Sequence, residues 1–396
     1  MSAAAGFPPN WVLLEPFVFR RDDGESFPDE SEAPIRASGT TSWGARFRIA
    51  FSLAEPPRIS RLYAQLPQPA FPGPMDAQPL AILATHHHLA LLRLATQTRT
   101  KLLLQDFFIY SSAAADENNL KALPPCREPD LADYTRADGR LLPRCRRPRH
   151  APPRLLNTSS MGLWCRGGKE EFVVAELSLC GTHFAVYAHI CFLRSSCTSS
   201  ARNRNRCGGR WDSMRVEIIS TDNPDDNDRT IVPFDRWLCW IDYNRGIIFC
   251  DMSKLPATPT VSFLRFPVDK FPLTSTRVGT ANHRYRGVSV VDDGRALKFV
   301  NVTRHDGIPF EALKPGTGFT ITCHTLELLC GGGGMAWKEE YTVTSDELWD
   351  ANPPDRLPRG ILMFPLIVRI VMAAQVSASG RGTRRVVGVE LAASSR

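Results

Sequence analysis

Residues 237–251, WLCWIDYNRGIIFCD, constrain the fold of this chain more than any other stretch. Two runs of aromatic, β-branched and Cys residues, which favour strands, flank the short segment Asn244-Arg245-Gly246. Gly246 can adopt the positive φ that a three-residue hairpin loop requires. Both runs are apolar at odd and even positions alike, so both faces of each strand need cover. The stretch therefore predicts a β-hairpin inside a stack of sheets.

Short strands and turns are expected along the rest of the chain. The 396 residues include 31 Pro and 27 Gly, and long segments with helical periodicity are scarce. Residues 43–53 show the clearest strand pattern, because every second position from Phe47 to Leu53 is apolar. One helical turn is predicted at residues 346–349, with Ser345 as its N-cap. This pattern predicts an all-β fold.

Tryptophan recurs ahead of alternating strands at Trp164, Trp211 and Trp337. The first two are 47 residues apart and the last two are 126 apart, or three units of 42. Propeller blades repeat every 40–50 residues or so, with an aromatic residue recurring once per blade, roughly as seen in this spacing. The predicted fold is a β-propeller-like array of short antiparallel strands, a single domain over residues 7–374 with a frayed tail at 377–396. Paired β-sandwiches are the alternative.

Positive charge is concentrated in two stretches. The formal net charge is +7; residues 127–154 contribute +4 and residues 194–215 contribute +5, so the remainder sums to −2. Two loops are predicted there, an Arg- and Pro-rich insertion at 125–160 and an Arg-rich loop at 195–209. Their arginines either contact nucleic-acid phosphates weakly or are simply solvated. The candidate contact residues are Arg144, Arg146, Arg147, Arg149, Arg202, Arg204 and Arg206.

Targeting and redox signals point to an intracellular protein, cytoplasmic or nuclear. The N-terminus lacks a basic leader followed by a long apolar stretch, so we expect no secretion. The most apolar late segment, residues 361–374, contains Pro365 and Arg369 and is too short to span a bilayer. The eleven Cys are odd in number and form no C-x-x-C, so buried thiols are expected rather than a disulfide framework.

Histidine and cysteine offer two candidate metal sites, and neither has good ligand spacing. In a strand, the side chains of His86, His87 and His88 alternate between faces, so a hairpin tip is the favoured interpretation. The second candidate is looser than the pairs two to four residues apart that zinc prefers. It comprises His189, Cys191, Cys197 and Cys207.

No recognised catalytic motif is present. Asp242 and Asp251 sit on the two arms of the hairpin, and their favoured role is to accept hydrogen bonds from backbone amides rather than to form an acid–base pair. The glycine run at 331–334 does not open a helix after a strand, so it is interpreted as a loop between blades rather than a phosphate site. The sequence contains no G-x-S-x-G, H-E-x-x-H or Walker pattern.

An ordered series of short motifs resembles the plant family known as domain of unknown function 1618. The resemblance covers roughly residues 7–370. It departs from the family at the His triplet, in the two long Arg-rich loops and in the tail after Gln375. The matching segments are FPPNWVLLE at 7–15, PPRIS at 56–60, ILAT at 82–85, LLRL at 91–94, DFFIY at 106–110, CWIDYNRGIIFCD at 239–251, LRFP at 264–267, LKFVNV at 297–302 and DELW at 346–349.

What the resemblance implies about function is modest. The family has no established activity, cofactor or catalytic set, so no functional residue carries over, and no catalytic, cofactor-binding or metal residue is predicted. Its members distantly resemble the propellers that follow F-boxes. We expect a non-enzymatic module that binds an unidentified protein partner. We expect no membrane association. A ubiquitin-ligase adaptor lacking its own F-box, nucleic-acid binding through the Arg-rich loops and an enzyme with an unrecognised site are the alternatives.

Overall fold

The structure of the chain is a computed structural model in which strands dominate and helices are confined to a few short turns. The predicted all-β class is therefore confirmed. Five four-stranded sheets and two two-stranded ribbons account for the strands. The structure describes residues 12–54, 58–72, 79–97, 103–112, 119–128, 134–137, 140–143, 153–166, 171–181, 186–195, 209–218, 230–255, 257, 259–268, 282–292, 294–308, 313–328, 334–351, 361, 370–372 and 387–389.

The chain divides into two compact units. The first unit comprises residues 1–182 and 187–216, and the second comprises 183–186 and 217–396. Within the range predicted as one domain, 7–374, the packing thus has two centres, and the single-domain assignment stays a prediction.

The first unit contains three of the four-stranded sheets. Sheet 1 comprises β1 (Leu13–Arg20), β2 (Ile35–Thr40), β3 (Arg46–Ser52) and β4 (Ile59–Gln65), in the order β1-β4-β3-β2 with β1 parallel to β4. Sheet 2 comprises β5 (Leu80–His86), β6 (Leu89–Gln97), β7 (Leu103–Ser111) and β8 (Leu120–Ala122). A ribbon of β9 (Tyr134–Ala137) and β10 (Arg140–Pro143) follows. Sheet 3 comprises β11 (Met161–Cys165), β12 (Phe172–Gly181), β13 (Val186–Arg194) and β14 (Trp211–Ile218).

The second unit contains the other two sheets. Sheet 4 comprises β15 (Thr230–Phe234), β16 (Trp237–Asp242), β17 (Gly246–Asp251) and β18 (Val261–Arg265). Sheet 5 comprises β19 (Arg286–Val291), β20 (Ala296–Arg304), β21 (Phe319–Leu328) and β22 (Met335–Thr344). Two helices, α1 (Asn282–Tyr285) and α2 (Ser345–Ala351), flank sheet 5, and β23 (Ile370–Met372) pairs with β24 (Val387–Val389). Within each of sheets 2 to 5, neighbouring strands follow one another along the chain, which is the strand connectivity of a propeller blade.

Sheet 2 lies between sheets 1 and 3, because β5 contacts both β1 and β11. Successive side chains of a strand point to opposite faces. Leu92 and Phe108 therefore reach the core shared with sheet 1, where Phe108 meets Phe47 at a ring-centroid distance of 5.0 Å. Leu91 and Ile109 reach the core shared with sheet 3. Both faces of sheet 2 are thus buried by sandwich-like packing.

The central hairpin is confirmed in sheet 4, where every residue of β16 and β17 is buried. The two strands pair from Trp237 opposite Asp251 to Asp242 opposite Gly246. One face of the hairpin packs on sheet 5. In the same core, the ring of Phe266, which follows β18, stacks on the ring of Phe299 of β20, with the ring centroids 4.0 Å apart. The continuous apolar pattern thus reflects burial on both faces, as predicted.

Gly246 is required for a different reason from the predicted one. It begins β17 rather than occupying the turn, and it is not among the residues with positive φ. A Cβ at this position would lie 2.2 Å from the carbonyl oxygen of Leu264 and 2.9 Å from the Cα of Arg265. The glycine therefore permits close approach of the β18 backbone, so the positive-φ prediction was wrong.

The helical turn after β22 is confirmed, but its cap is Thr344 rather than Ser345. The Thr344 hydroxyl accepts a hydrogen bond from the Glu347 N–H at 3.3 Å, and the Glu347 carboxylate accepts one from the Thr344 N–H at 2.9 Å. This reciprocal pair is a capping box. Ser345 is instead buried and accepts from the Phe319 N–H at 3.3 Å.

The tryptophan repeat exists, but its predicted spacing was wrong. Trp211 and Trp337 both lie on the fourth strand of a sheet, and each indole N–H donates to a carbonyl at the end of the preceding sheet, that of Pro124 at 2.7 Å and of Arg265 at 2.9 Å. Trp164 lies on a first strand, so it is not equivalent. The 126 residues between Trp211 and Trp337 span two sheets instead of three blades, because long connections lengthen each repeat.

Candidate functional site

One face of sheet 1 packs into the core and the other presents arginine. On β3, Phe47, Ile49 and Phe51 are buried while Arg46 and Arg48 are exposed, as period-two alternation requires. The same surface continues across the sheet, because residues in register share a face. We call this surface the open face. Its members are Phe17, Phe19, Arg36, Arg46, Arg48, Ile59, Arg61, Tyr63 and Gln65.

The register places the arginines side by side. Ala50 of β3 pairs with Arg36 of β2 and with Tyr63 of β4, and Arg48 pairs with Gln65. Arg61 lies two residues before Tyr63, so it emerges on the same side. The four strands carry five Arg against a single acid, Glu15. The sheet itself is therefore a basic element.

Aromatic rings lie beneath these guanidinium groups. The Arg61 guanidinium is 5.2 Å from the ring centroid of Phe19, which in turn lies 5.7 Å from the ring of Tyr63. Such cation–π contacts contribute about 0.5–1 kcal/mol at exposed sites, and they hold a guanidinium in place while leaving its N–H donors available.

Three of the open-face arginines lack a carboxylate partner within the described part of the chain. Arg48 donates to the amide oxygen of Gln65 at 2.7 Å, while Arg46 and Arg61 form no ion pair with a described residue. At the edge of the sheet, by contrast, Arg20 is paired with Asp22 at 2.7 Å. The open face thus combines positive charge with unused hydrogen-bond donors.

Large apolar side chains also lie exposed on the open face, on β1 and at the start of β4. Phe17 is 54% exposed and Ile59 is 53% exposed. Exposed apolar residues beside arginine are typical of protein-binding surfaces, where Arg and aromatic residues are enriched. The open face thus carries exposed apolar side chains as well as arginines.

An acidic segment of the chain itself lies against the open face. Residues 22–32 contain six acids and no base. Within this segment, the buried ring of Phe27 packs on Ala50 and Tyr63, with the guanidinium groups of Arg48 and Arg36 over it at 5.2 and 5.5 Å. Arg36 also donates to the Pro28 carbonyl. The acidic segment is therefore attached to the open face by an aromatic residue, Phe27.

The arginines predicted to contact phosphate lie outside the described residues. This applies to Arg144, Arg146, Arg147 and Arg149 and to Arg202, Arg204 and Arg206. The strands on either side of them in the sequence are described. The loop at 195–209 joins β13 to β14, the third and fourth strands of sheet 3. The insertion at 125–160 joins sheet 2 to sheet 3, and its ends are tied by a hydrogen bond from the Arg154 N–H to the Cys126 carbonyl at 2.8 Å.

The histidine triplet forms a hairpin tip, as favoured from the sequence. His87 and His88 form the turn between β5 and β6, and His87 has a positive φ of 52°. His86 differs from the expected exposed imidazole. Its Nδ1 accepts a hydrogen bond from the Cys165 N–H at 2.8 Å, and burial, with smaller effects of His87 and His88, lowers its pKa to about 3. His86 is thus a neutral structural acceptor.

The second metal candidate is only partly described. His189 and Cys191 are buried two residues apart on β13, so they share a face, whereas Cys197 and Cys207 lie outside the described residues. No group of three or more His, Cys, Asp or Glu in the described residues is arranged to hold a metal. Cys191 instead contacts Cys126, with the sulfur atoms 3.6 Å apart.

The hairpin aspartates are structural, as favoured from the sequence. Asp242 accepts from the Asn244 N–H at 2.8 Å in the turn, and Asp251 accepts from the Ser253 N–H at 3.1 Å. The register puts them at opposite ends of the hairpin, so they do not form an acid–base pair. Of the glycine run at 331–334, predicted to be a loop between blades, Gly331, Gly332 and Gly333 lie outside the described residues.

The comparison with known families concerns the second unit. Residues 240–376 match the family model described as "Protein of unknown function (DUF1618)". This part of the chain is similar to the DUF1618 family. The resemblance found in the sequence is thus confirmed over that range, which begins in the central hairpin and contains all of sheet 5. The open face lies outside the DUF1618 region. No curated protein is significantly similar to the chain.

The described helices include none that is both long and apolar enough to cross a membrane.

Proposed function

We propose that the protein is a non-enzymatic interaction module that binds an acidic segment of a partner protein through the open face of sheet 1. The observation that carries the proposal is that two exposed arginines without carboxylate partners, Arg46 and Arg61, lie on the same face of sheet 1 as the exposed side chains of Phe17 and Ile59. The arginines supply charge complementarity and the apolar side chains supply the buried contact area.

The chain's own acidic segment supports the class of partner. Residues 22–32 combine carboxylates with one aromatic residue, and Phe27 is the part that docks against the sheet. A partner segment with glutamates or aspartates around an aromatic residue would reproduce this mode on the part of the open face that residues 22–32 leave exposed. Arg46, Arg61 and the exposed Phe17 are the contacts we assign to it.

Defined polymers test the proposal with the full-length chain. The probes are poly-glutamate, a glutamate–tyrosine copolymer and poly(U) RNA, each labelled with fluorescein and titrated at two salt concentrations. We expect the glutamate–tyrosine copolymer to bind most tightly, because it supplies both the charge and the aromatic contact. Tighter binding of poly(U) would replace the proposal with nucleic-acid binding.

A charge-matched pair of variants locates the binding. The double substitution Arg46→Glu with Arg61→Glu should weaken copolymer binding by about tenfold or more, since it reverses the charges of the two arginines assigned to the partner. The control, Arg166→Glu with Arg194→Glu, changes the net charge equally at exposed positions of sheet 3 and should keep most of the affinity. Equal losses in the two variants would show a non-specific charge effect and overturn the assignment to the open face.

A further inference from the structure

Two thiols meet at the base of the 125–160 insertion. The sulfur atoms of Cys126 and Cys191 are 3.6 Å apart. Cys126 lies on the segment that follows β8, and Cys191 lies on β13, so one sulfur comes from the connection after sheet 2 and the other from sheet 3. Cys126 is 4% exposed and Cys191 is fully buried. This contact does not involve the open face, and nothing in it depends on the proposed function.

The backbone around the pair is held on several sides. The indole N–H of Trp211 donates to the Pro124 carbonyl at 2.7 Å, and the Ser213 hydroxyl donates to the Glu128 carboxylate at 3.1 Å. These bonds fix the segment containing Cys126 on β14, the neighbour of β13. The two sulfur atoms are therefore kept together by the surrounding structure, which raises their effective concentration toward each other.

The hydrogen bond between the two thiols makes them unequal. A buried ion pair between Arg154 and Glu176 lies beside them, and the Glu176 carboxylate also accepts from the Asn157 N–H at 2.6 Å. The hydrogen bond from Cys191 lowers the pKa of Cys126, and Arg154 lowers it further, while burial opposes both. The same hydrogen bond, together with burial, raises the pKa of Cys191. Cys126 is thus the sulfur that more readily becomes a thiolate.

We infer that Cys126 and Cys191 form a modification site at which a small peroxide produces a disulfide. The Cys126 thiolate attacks one oxygen of hydrogen peroxide, so that an S–O bond forms, the O–O bond breaks and hydroxide leaves. Cys191 then attacks the sulfur of the Cys126 sulfenic acid, the S–S bond forms and the S–O bond breaks. The two thiols lose two electrons, the peroxide gains two, and two water molecules are released in total.

The disulfide would link the start of the 125–160 insertion, at Cys126, covalently to β13 of sheet 3. Residues 126 and 154 already meet through a backbone hydrogen bond, so the insertion begins and ends at this place. The new bond joins positions 65 residues apart, and closing a loop of that length restricts the unfolded chain considerably. Oxidation should therefore raise the resistance of the first unit to unfolding.

The test is peptide mapping of the full-length chain after oxidation. Fully reduced protein is treated with graded hydrogen peroxide, remaining thiols are blocked with iodoacetamide, and the non-reduced digest is analysed by mass spectrometry. We expect a cross-linked pair of peptides containing Cys126 and Cys191, lighter by two hydrogens than the separate peptides and released by dithiothreitol. The urea midpoint of unfolding should rise with the yield of this cross-link.

Internal controls and variants decide between outcomes. Cys239 and Cys250 are fully buried in sheet 4, and burial raises the pKa of Cys250 to about 12, so both should remain available for labelling only after unfolding. The substitutions Cys126→Ser and Cys191→Ser should each abolish the cross-link and the rise in midpoint, whereas Cys239→Ser should keep both. The inference is overturned if Cys126 and Cys191 of the wild-type chain stay reduced at doses that oxidise its other thiols. It is also overturned if either one cross-links mainly to a third cysteine.

Discussion

The central hairpin and the open face of sheet 1 are both built from strands, but they differ in which of their side chains are buried in the core. In β16 and β17 every side chain is buried, and the polar groups present, such as Asp242 and Asp251, bind the backbone of neighbouring turns. In β3, Phe47, Ile49 and Phe51 face the core, whereas Arg46 and Arg48 on the other face remain exposed. The most conspicuous apolar stretch of this chain therefore stabilises the fold, whereas the surface that we propose for recognition includes a strand with exposed arginines.

The largest expected difference between these two regions is in how much a substitution lowers the free energy of unfolding. Phe249 of β17 is fully buried in the core shared by sheets 4 and 5, so Phe249→Ala should lower the free energy of unfolding by about 3–5 kcal/mol. Arg46→Ala on the open face should change it by less than about 0.5 kcal/mol, because an exposed side chain loses little contact area. Urea unfolding followed by tryptophan fluorescence measures both. Similar losses would mean that the open face is covered in solution.

A smaller effect of the same sign is expected where the hairpin approaches β18. A methyl group in Gly246→Ala would meet the Leu264 carbonyl, so the strands must shift, at a cost of about 1–3 kcal/mol. Gly24 in the acidic segment is a matched control, because a Cβ there has no heavy atom within 4 Å. Gly24→Ala should leave the urea midpoint almost unchanged. If both substitutions leave the urea midpoint almost unchanged, the close approach of the β18 backbone is not the reason for glycine at position 246.

Much of the architecture follows from local sequence patterns, and the recognition surface follows from them only in part. Continuous apolar runs identified the hairpin because burial on both faces removes polar residues from both. The arginines of the open face carry the opposite signal, which was present as Arg46-Phe-Arg48-Ile in an alternating strand. Charge counted by segment missed it, since the strand-borne arginines are offset by the acids of residues 22–32 in the same part of the chain.

Other features depend on contacts between distant residues and have no local signal. The sulfur atoms of Cys126 and Cys191 meet across 65 residues of sequence, and no spacing rule relates them. The same holds for the reason behind Gly246, which depends on the position of β18. By contrast, the capping box at Thr344 is visible in the sequence, because Thr344 and Glu347 have the Thr-x-x-Glu spacing at the start of the predicted helical turn.

The smallest expected effect lies between the two extremes, at a residue that is neither fully buried nor part of the open face. His86 is neutral in the folded chain, since its pKa is lowered to about 3 by burial, and its usual value is 6.5. Below pH 6.5 the unfolded chain therefore binds a proton that the folded chain does not. The stability contributed by neutral His86 is complete above pH 6.5 and decreases as the pH falls toward 3, by about 1.4 kcal/mol per pH unit at most.

The comparison that isolates this effect is the slope of unfolding free energy between pH 6.5 and pH 5.5 in wild-type protein and in His86→Gln. We expect the variant to be less stable at neutral pH, because the hydrogen bond from the Cys165 N–H is weakened, and to have the shallower slope. A His87→Asn control keeps a residue that tolerates the positive φ of that turn position and should retain most of the wild-type slope. An unchanged slope in His86→Gln would mean that His86 gains its proton in the folded chain as readily as in the unfolded one. The contact with Cys165 would then be open to water, and the hairpin tip would belong with the exposed residues of the open face rather than with the core.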